Sequence, residues 1–355
     1  MYKSKFGEKA NIKKANGKKA NGKKLNIGLQ ILRTICAFLV IVCHFYGHSK
    51  YRIIVIQNKY YVITFFYMSF YFSYNTLSSL HIPKIKERFK KMIIPYIIWP
   101  LLFYLNDKFN HYYYKKNSLY TLKDLYYQLI VGCKIYGIFW FLFNLILLTL
   151  FFTLIIFMFK KSFILVLFLF NAFIYLFFYS NYANILIFYK FKKVPCHHSI
   201  RPNLEFFVFA FTGFYLSSKQ FINKLYKYRF IYMFISITCL FTYIQFYNIF
   251  FKNLNFIFDG ITKDILITFF IIIFSMLPFD KINNNYIIKF LNKITSYTGG
   301  IYYIHVKSGD FCGLYFSIIR HRHFKGCFLL YTICYLACFI GTLIFRKTSL
   351  KYLFI

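Results

Sequence analysis

Acidic residues are nearly missing from this chain: Asp and Glu together number 9 in 355 residues, against 45 Lys and Arg. A soluble domain of this size needs a charged surface of mixed sign, and so few acids cannot supply one, which argues against a soluble enzyme. No long polar block remains in which a separate globular unit could form. No Asn-x-Ser/Thr sequon occurs. The N-terminus lacks the short apolar stretch and cleavage site of a signal peptide, so the first apolar run is expected to remain as an anchor. The nine cysteines have no paired short spacing, and Cys36, Cys43, Cys239, Cys334 and Cys338 sit inside apolar runs as small core residues, so no disulfide framework follows. Cys133 and Cys196 fall in loops expected on one side, where a bridge and two free thiols are both compatible with the sequence. There is no Gly-rich phosphate loop, no Ser-His-Asp order signal and no His-Glu-x-x-His helix.

What is present is apolar and aromatic. Hydrophobic residues make up 59% of the chain and Phe, Tyr and Trp 25%. Residues 1–26 carry nine lysines and a Lys-Lys-Ala-Asn-Gly repeat from Lys13 and Lys18, a composition that cannot bury a core, and are expected to be a disordered cytosolic tail. Runs of about 20 apolar residues predict helices over 27–47, 60–80, 92–106, 137–159, 162–180, 203–218, 230–250, 263–279, 294–316 and 326–345. The third and sixth of these are short, and the third holds Pro95 and Pro100, so tilt or partial insertion is expected there. The fold class is all-α, a polytopic transmembrane bundle of about ten helices with both termini cytosolic. It is a single domain over 27–345, followed by a short basic C-terminus over 346–355.

The formal charge of +36 sits mostly between the apolar runs. Threading the helices from a cytosolic N-terminus puts 26 basic residues in 74 on the inside and 16 in 85 on the outside. That bias suits anionic lipid on the inner face rather than nucleic acid. Ionisable groups inside a bilayer are costly and face a cavity or a partner, which singles out Arg33, His44, Glu205, His305, Lys307 and Asp310. Arg33 and His44 are eleven residues apart, about three helical turns, and so share one helix face about 16 Å apart. From the residues alone, Arg33 either snorkels to cytosolic headgroups or faces a site, and His44 is either an interfacial histidine or a functional one. Lys307 and Asp310 either neutralise each other beside His305 in the membrane or face water beyond a shorter helix. Glu205 either pairs with Arg201 or orients a ligand. Cys196-His197-His198 has three adjacent ligand types with no partner cluster, a poor tetrahedral site, and no metal is expected.

Leu32 to Phe45, with its Arg-x10-His spacing, resembles the signature of the acyltransferase-3 family of multi-span membrane acyltransferases. Phe65-Phe66-Tyr67-Met68-Ser69 is similar to that family's second-helix run. Arg88-Phe-Lys-Lys91 with Pro95-Tyr96 resembles its basic loop leading into a Pro-Tyr. Trp140-Phe141-Leu142, Phe209 to Gly213, and Ser296 to Tyr302 and His305 follow in the family's order. Phe70 stands where the family usually has Gly, and Lys91 replaces a second Arg. Loss of that Gly would crowd the second helix.

The resemblance implies transfer of an acyl group, acetyl first, from acetyl-CoA or another acyl-CoA to a hydroxyl of an extracytoplasmic or lumenal carbohydrate-type acceptor. His44 and Arg33 are then the catalytic candidates, with His44 the base, since burial keeps an imidazole neutral. Arg88 and Lys91 would hold the donor, unless they are ordinary inner-face anchors. Ser69, Trp140, Glu205, Tyr302 and His305 would line the cavity or the acceptor path, although Trp140 also fits an interfacial aromatic belt. The donor is a substrate and no bound cofactor is implied. The partners expected are acyl-CoA, a carbohydrate or glycolipid, and the bilayer; plasma and internal membranes fit equally. The alternatives are a transporter or flippase for a lipid-linked sugar, against which no internal symmetry is visible, and a noncatalytic family member.

Overall fold

The computed structural model describes residues 27–45, 60–114, 120–132, 139–178, 197–246 and 257–277, with parts of 286–297 and 335–347. The basic tail, Cys133 and Cys196, the expected helix over 294–316 with Tyr302, His305, Lys307 and Asp310, and nearly all of the C-terminus lie outside the described residues. Among the described residues every regular element is helical. In order they are α1 (Ile27–Phe45), α2 (Tyr60–Ser78), α3 (Ile82–Tyr114), α4 (Leu122–Val131), α5 (Phe139–Phe159), α6 (Phe163–Phe178), α7 (His197–Ser218), α8 (Phe221–Leu225), α9 (Arg229–Phe246) and α10 (Ile257–Met276). A last helix, α11, is Tyr335–Ile344.

The stretch Phe139–Ile174, with an 18-residue window of mean hydropathy 2.6, is the part of the described chain long and apolar enough to cross a bilayer. It is not one rod. Phe151 and Phe170 stack with ring centroids 5.0 Å apart, whereas nineteen residues of straight helix would separate them by about 28 Å. The chain reverses at Lys160–Ser162, a turn of 3-10 helix in which Lys160 takes a left-handed φ of 35°. α5 and α6 are therefore antiparallel, split where the hydropathy pattern splits them. α5 is apolar all round, as a helix must be when one side packs and the other meets no water. Leu142, Leu145, Leu148, Phe152 and Ile156 are buried at three- and four-residue spacing, while Leu147, Leu150, Leu154 and Phe157 are exposed.

Ring contacts set the other helix directions. Phe66 meets Phe141 and Phe70 meets Phe152, so α2 and α5 run parallel. Phe66 stacks on Phe206 and Tyr74 on Phe214, so α2 and α7 are parallel too. Tyr96 lies on Phe143 and Phe103 on Phe139, so α3 is antiparallel to α5. Phe163 meets Phe214 and Phe170 meets Phe207, so α6 opposes α7. Thus α2, α5 and α7 point one way, and α3 and α6 the other. The α2–α3 reversal is a tight one: Leu80 at φ 48° closes the helix end, with its N–H donating to Leu77 O (3.0 Å) and that of His81 to Thr76 O (3.3 Å).

Three expectations change here. The third helix is not short: α3 runs 33 residues through both Pro95 and Pro100, roughly 50 Å. Its C-terminal part, with Asp107, Lys108, Asn110 and His111, is polar enough to read as a loop in a hydropathy scan. The supposed loop over 107–136 also holds α4, opened by a capping box between Thr121 and Asp124 and closed by Gly132 at φ 79°. α4 folds back along α3. Lys108 Nζ donates to Tyr120 O (2.7 Å), and the Tyr96 hydroxyl donates to Gln128 O (2.5 Å) and Leu129 O (3.0 Å). The sixth expected helix also begins earlier, at His197.

α7 approaches α2 closely at Gly213, where a Cβ would collide with the carbonyl of Tyr67. Backbone cannot swing away as a side-chain tip can, so Gly213→Ala is expected to cost about 1–3 kcal/mol through overpacking of α7 on α2. Thermal unfolding of the purified chain in detergent measures this, and an unchanged midpoint would show that the two helices do not depend on that contact.

Candidate active site

The α2–α3 turn brings Arg88, two turns into α3, back alongside the end of α2. Its Nη1 donates to Ser73 Oγ, and its Nη2 donates to Ser69 Oγ (3.0 Å) and, across the bundle, to Thr149 Oγ1 of α5 (3.3 Å). Ser69 and Ser73 are four residues apart on one face of α2, and the Ser73 hydroxyl donates to Ser69 O at 2.5 Å. The guanidinium lies over the ring of Phe70, 5.6 Å from its centroid. Thr149 and Phe70 are fully buried, and the Arg88 Nε is buried with no hydrogen-bond partner. Three helices thus meet on one cation. Among the described residues the groups that bond to it are neutral hydroxyls.

That arrangement is unusual in its electrostatics. Arginine keeps its charge at any ordinary pH, and a buried cation is normally matched by a carboxylate. Hydroxyls solvate the guanidinium without neutralising it, and the excess positive charge favours an anion at the site.

Of the residues expected at the site, Ser69 and Arg88 are brought together. Lys91 turns instead to Glu87, an exposed i,i+4 ion pair at 3.4 Å. Trp140, half-buried near the start of α5, stacks on Phe206 (5.2 Å), which stacks on Phe66 (4.5 Å). It stands nine residues, about 13.5 Å, along α5 from Thr149. Arg33 is half-buried on α1, and His44 is on the same helix eleven residues later, about 16 Å along its axis. The Cys36 side chain lies beside that of Thr64 where α1 packs on α2. Glu205 lies on α7. Thr149 and Ser73 were not singled out from the sequence; hydroxyls inside apolar runs are common, and only the fold shows that they converge on Arg88. The bulk of Phe70, where a smaller residue was expected, is absorbed by Phe152 at 4.6 Å and by the guanidinium face. Among the described residues no cluster of three His, Cys, Asp or Glu could hold a metal ion.

If Thr149 serves to carry the guanidinium, Thr149→Val, which keeps the shape and removes the acceptor, leaves a buried N–H unmatched. A loss of about 1–3 kcal/mol in stability is expected. Urea or thermal unfolding checks this, and a stability equal to the parent would show that the 3.3 Å contact carries no weight.

Residues 26–347, nearly the whole chain, match the family model described as an acyltransferase domain. No curated protein and no solved structure matches the chain.

Proposed function

The chain belongs to the acyltransferase-3 family, and on that premise we propose that it is a multi-span membrane enzyme that moves an acyl group, acetyl first, from acyl-CoA to a hydroxyl of a carbohydrate-type acceptor on the far side of the membrane. The observation that carries the donor half is the buried Arg88 guanidinium, which among the described residues bonds only hydroxyls and reaches Thr149 at the middle of α5. Phosphate groups are the part of an acyl-CoA that such a cation would hold.

Support for membrane embedding comes from the helix exteriors. Leu150, Leu154, Phe157, Leu165 and Phe168 project from α5 and α6 onto surface that water would not tolerate at this density. The alternating directions of α2, α3, α5, α6 and α7 fit successive crossings, and extending that alternation gives about ten spans with both termini cytosolic. The turns at Leu80, Lys160 and Gln220 then share the inner face with Lys84, Lys86, Lys161, Lys219, Lys224 and Lys227.

On this reading α1 crosses opposite to α2, so that Arg33 stands within about a turn of Ser69 in height and His44 lies about 16 Å farther out than Arg33. Such a separation suits a donor whose charged phosphates and reactive thioester lie at opposite ends of a long arm. At the outer end, His44 as a neutral imidazole accepts the proton of the acceptor hydroxyl. The hydroxyl oxygen forms a bond to the thioester carbonyl carbon, the carbon–sulfur bond breaks, and the imidazolium returns the proton to the departing thiolate.

Acylation of an oligosaccharide acceptor by purified chain in nanodiscs tests the chemistry. His44→Ala is expected to lower kcat by about a hundredfold or more with the thermal midpoint retained, and undiminished turnover would overturn the proposed base. For the donor site the informative change is Arg88→Met, which fills similar volume without charge. A buried ion replaced by an apolar residue often leaves stability unharmed, so the fold is expected to survive while the donor KM rises at least about tenfold. A donor KM equal to that of the parent would make Arg88 a structural cation only.

A further inference from the structure

α5 is 21 residues long, about 31 Å, and so matches the hydrocarbon thickness of a bilayer. Phe103 of α3 packs on Phe139 at the outer end of α5, 5.6 Å between centroids, which puts Phe103 at the outer limit of the hydrocarbon. α3 continues for eleven more residues to Tyr114, about 16 Å farther. The headgroup layer adds only about 5–8 Å on each side. Tyr112 and Tyr113 therefore stand beyond the reach of lipid.

This projection is built to stay upright. Lys108 Nζ holds the Tyr120 carbonyl, the Tyr120 N–H donates to Asp107 Oδ2 (3.3 Å), and α4 runs back along α3 to the Tyr96 hydroxyl. At its tip three rings are exposed on one side: Phe109 and Tyr113 lie 4.3 Å apart at 38°, and Tyr112 meets Tyr113 edge-on at 5.1 Å. Tyr112 is 78% exposed and Tyr113 64%. Asn110 and His111 lie within the same turns. Both acids of the hairpin, Asp107 and Asp124, are engaged in backbone bonds, so the tip offers rings, hydroxyls and an amide with little negative charge.

From this geometry we infer that the tip of α3, centred on Phe109, Tyr112 and Tyr113, is a docking ledge for a sugar acceptor, holding it above the outer end of the bundle. Sugar rings present C–H faces that lie on aromatic rings and hydroxyl rims that seek hydroxyls and amides, which is the pairing the ledge provides. Lipid is excluded by height, and a purely apolar partner would leave the tyrosine hydroxyls and Asn110 unmatched. The inference rests on the acyltransferase reading for its acceptor, but the surface can be tested without chemistry.

Full-length chain in nanodiscs is applied to an array of neutral and anionic oligosaccharides, alongside Tyr112→Ala/Tyr113→Ala and His44→Ala. The parent and His44→Ala are expected to bind the same subset, and the double variant to bind at least about tenfold more weakly, as loss of two ring contacts requires. In turnover assays with a bound glycan, the double variant should raise acceptor KM by a similar factor, with donor KM unchanged. Equal binding by the double variant, or binding of no glycan by the parent, would overturn the ledge. So would a double variant that dissociates a dimer while keeping its acceptor KM, since the tip would then be an interface between copies. Retained glycan binding without any acyl transfer by the parent would refute the acyltransferase reading and leave the ledge standing.

Discussion

A guanidinium taken out of water must be solvated by the fold that buries it, and in this chain that requirement organises three helices. Arg88 sits on α3, two of its acceptors are on α2 and the third is on α5. Desolvating an arginine costs several kcal/mol, and hydroxyls offset only part of that. The tight α2–α3 turn at Leu80, the i,i+4 spacing of Ser69 and Ser73, and the burial of Phe70 under the guanidinium are all needed to place the acceptors. Among the described residues no acid bonds to the guanidinium, and its charge favours an anion at the site.

Around that point the bundle is held by aromatic packing more than by polar contacts. Phe66 touches Phe141 and Phe206, and Phe152 touches Phe70, Phe207 and Phe214, so α2, α5 and α7 share one continuous core. Their common direction, opposite to α3 and α6, sets the Arg88 guanidinium level with the middle of α5 through Thr149, about 13.5 Å along that helix from Trp140 near its start.

Much of this was legible in the sequence, because hydropathy reports what a helix interior tolerates. The expected helices over 27–47, 60–80, 137–159 and 162–180 differ from the observed α1, α2, α5 and α6 by a few residues, and the split at Lys160 and Lys161 was visible as the only charges in a long apolar stretch. The same scale misread the outer half of α3. Asp107 and Lys108 lower the hydropathy, yet both are used to clamp the chain that enters α4, so a polar stretch became a rigid helix. At the site, Arg88 and Ser69 were found through a resemblance in motif order. Ser73 and Thr149 were not, since a lone hydroxyl in an apolar run carries no signal until the tertiary fold shows what it faces. Lys91 was read as Arg88's companion through the same resemblance, but it also lies one turn from Glu87, and in the fold that pair forms.

The most direct test of the account is where, and from which side, a donor lands. A photoreactive acyl-CoA analogue, presented to sealed vesicles of defined orientation and analysed by peptide mass, should label the segments holding Ser69, Arg88 and Thr149. It should do so only when the lysine-bearing turns at Lys160 and Lys219 face the analogue, and unlabelled acetyl-CoA should compete. Labelling elsewhere in the bundle, or equal labelling from the face that bears Tyr113, would contradict it.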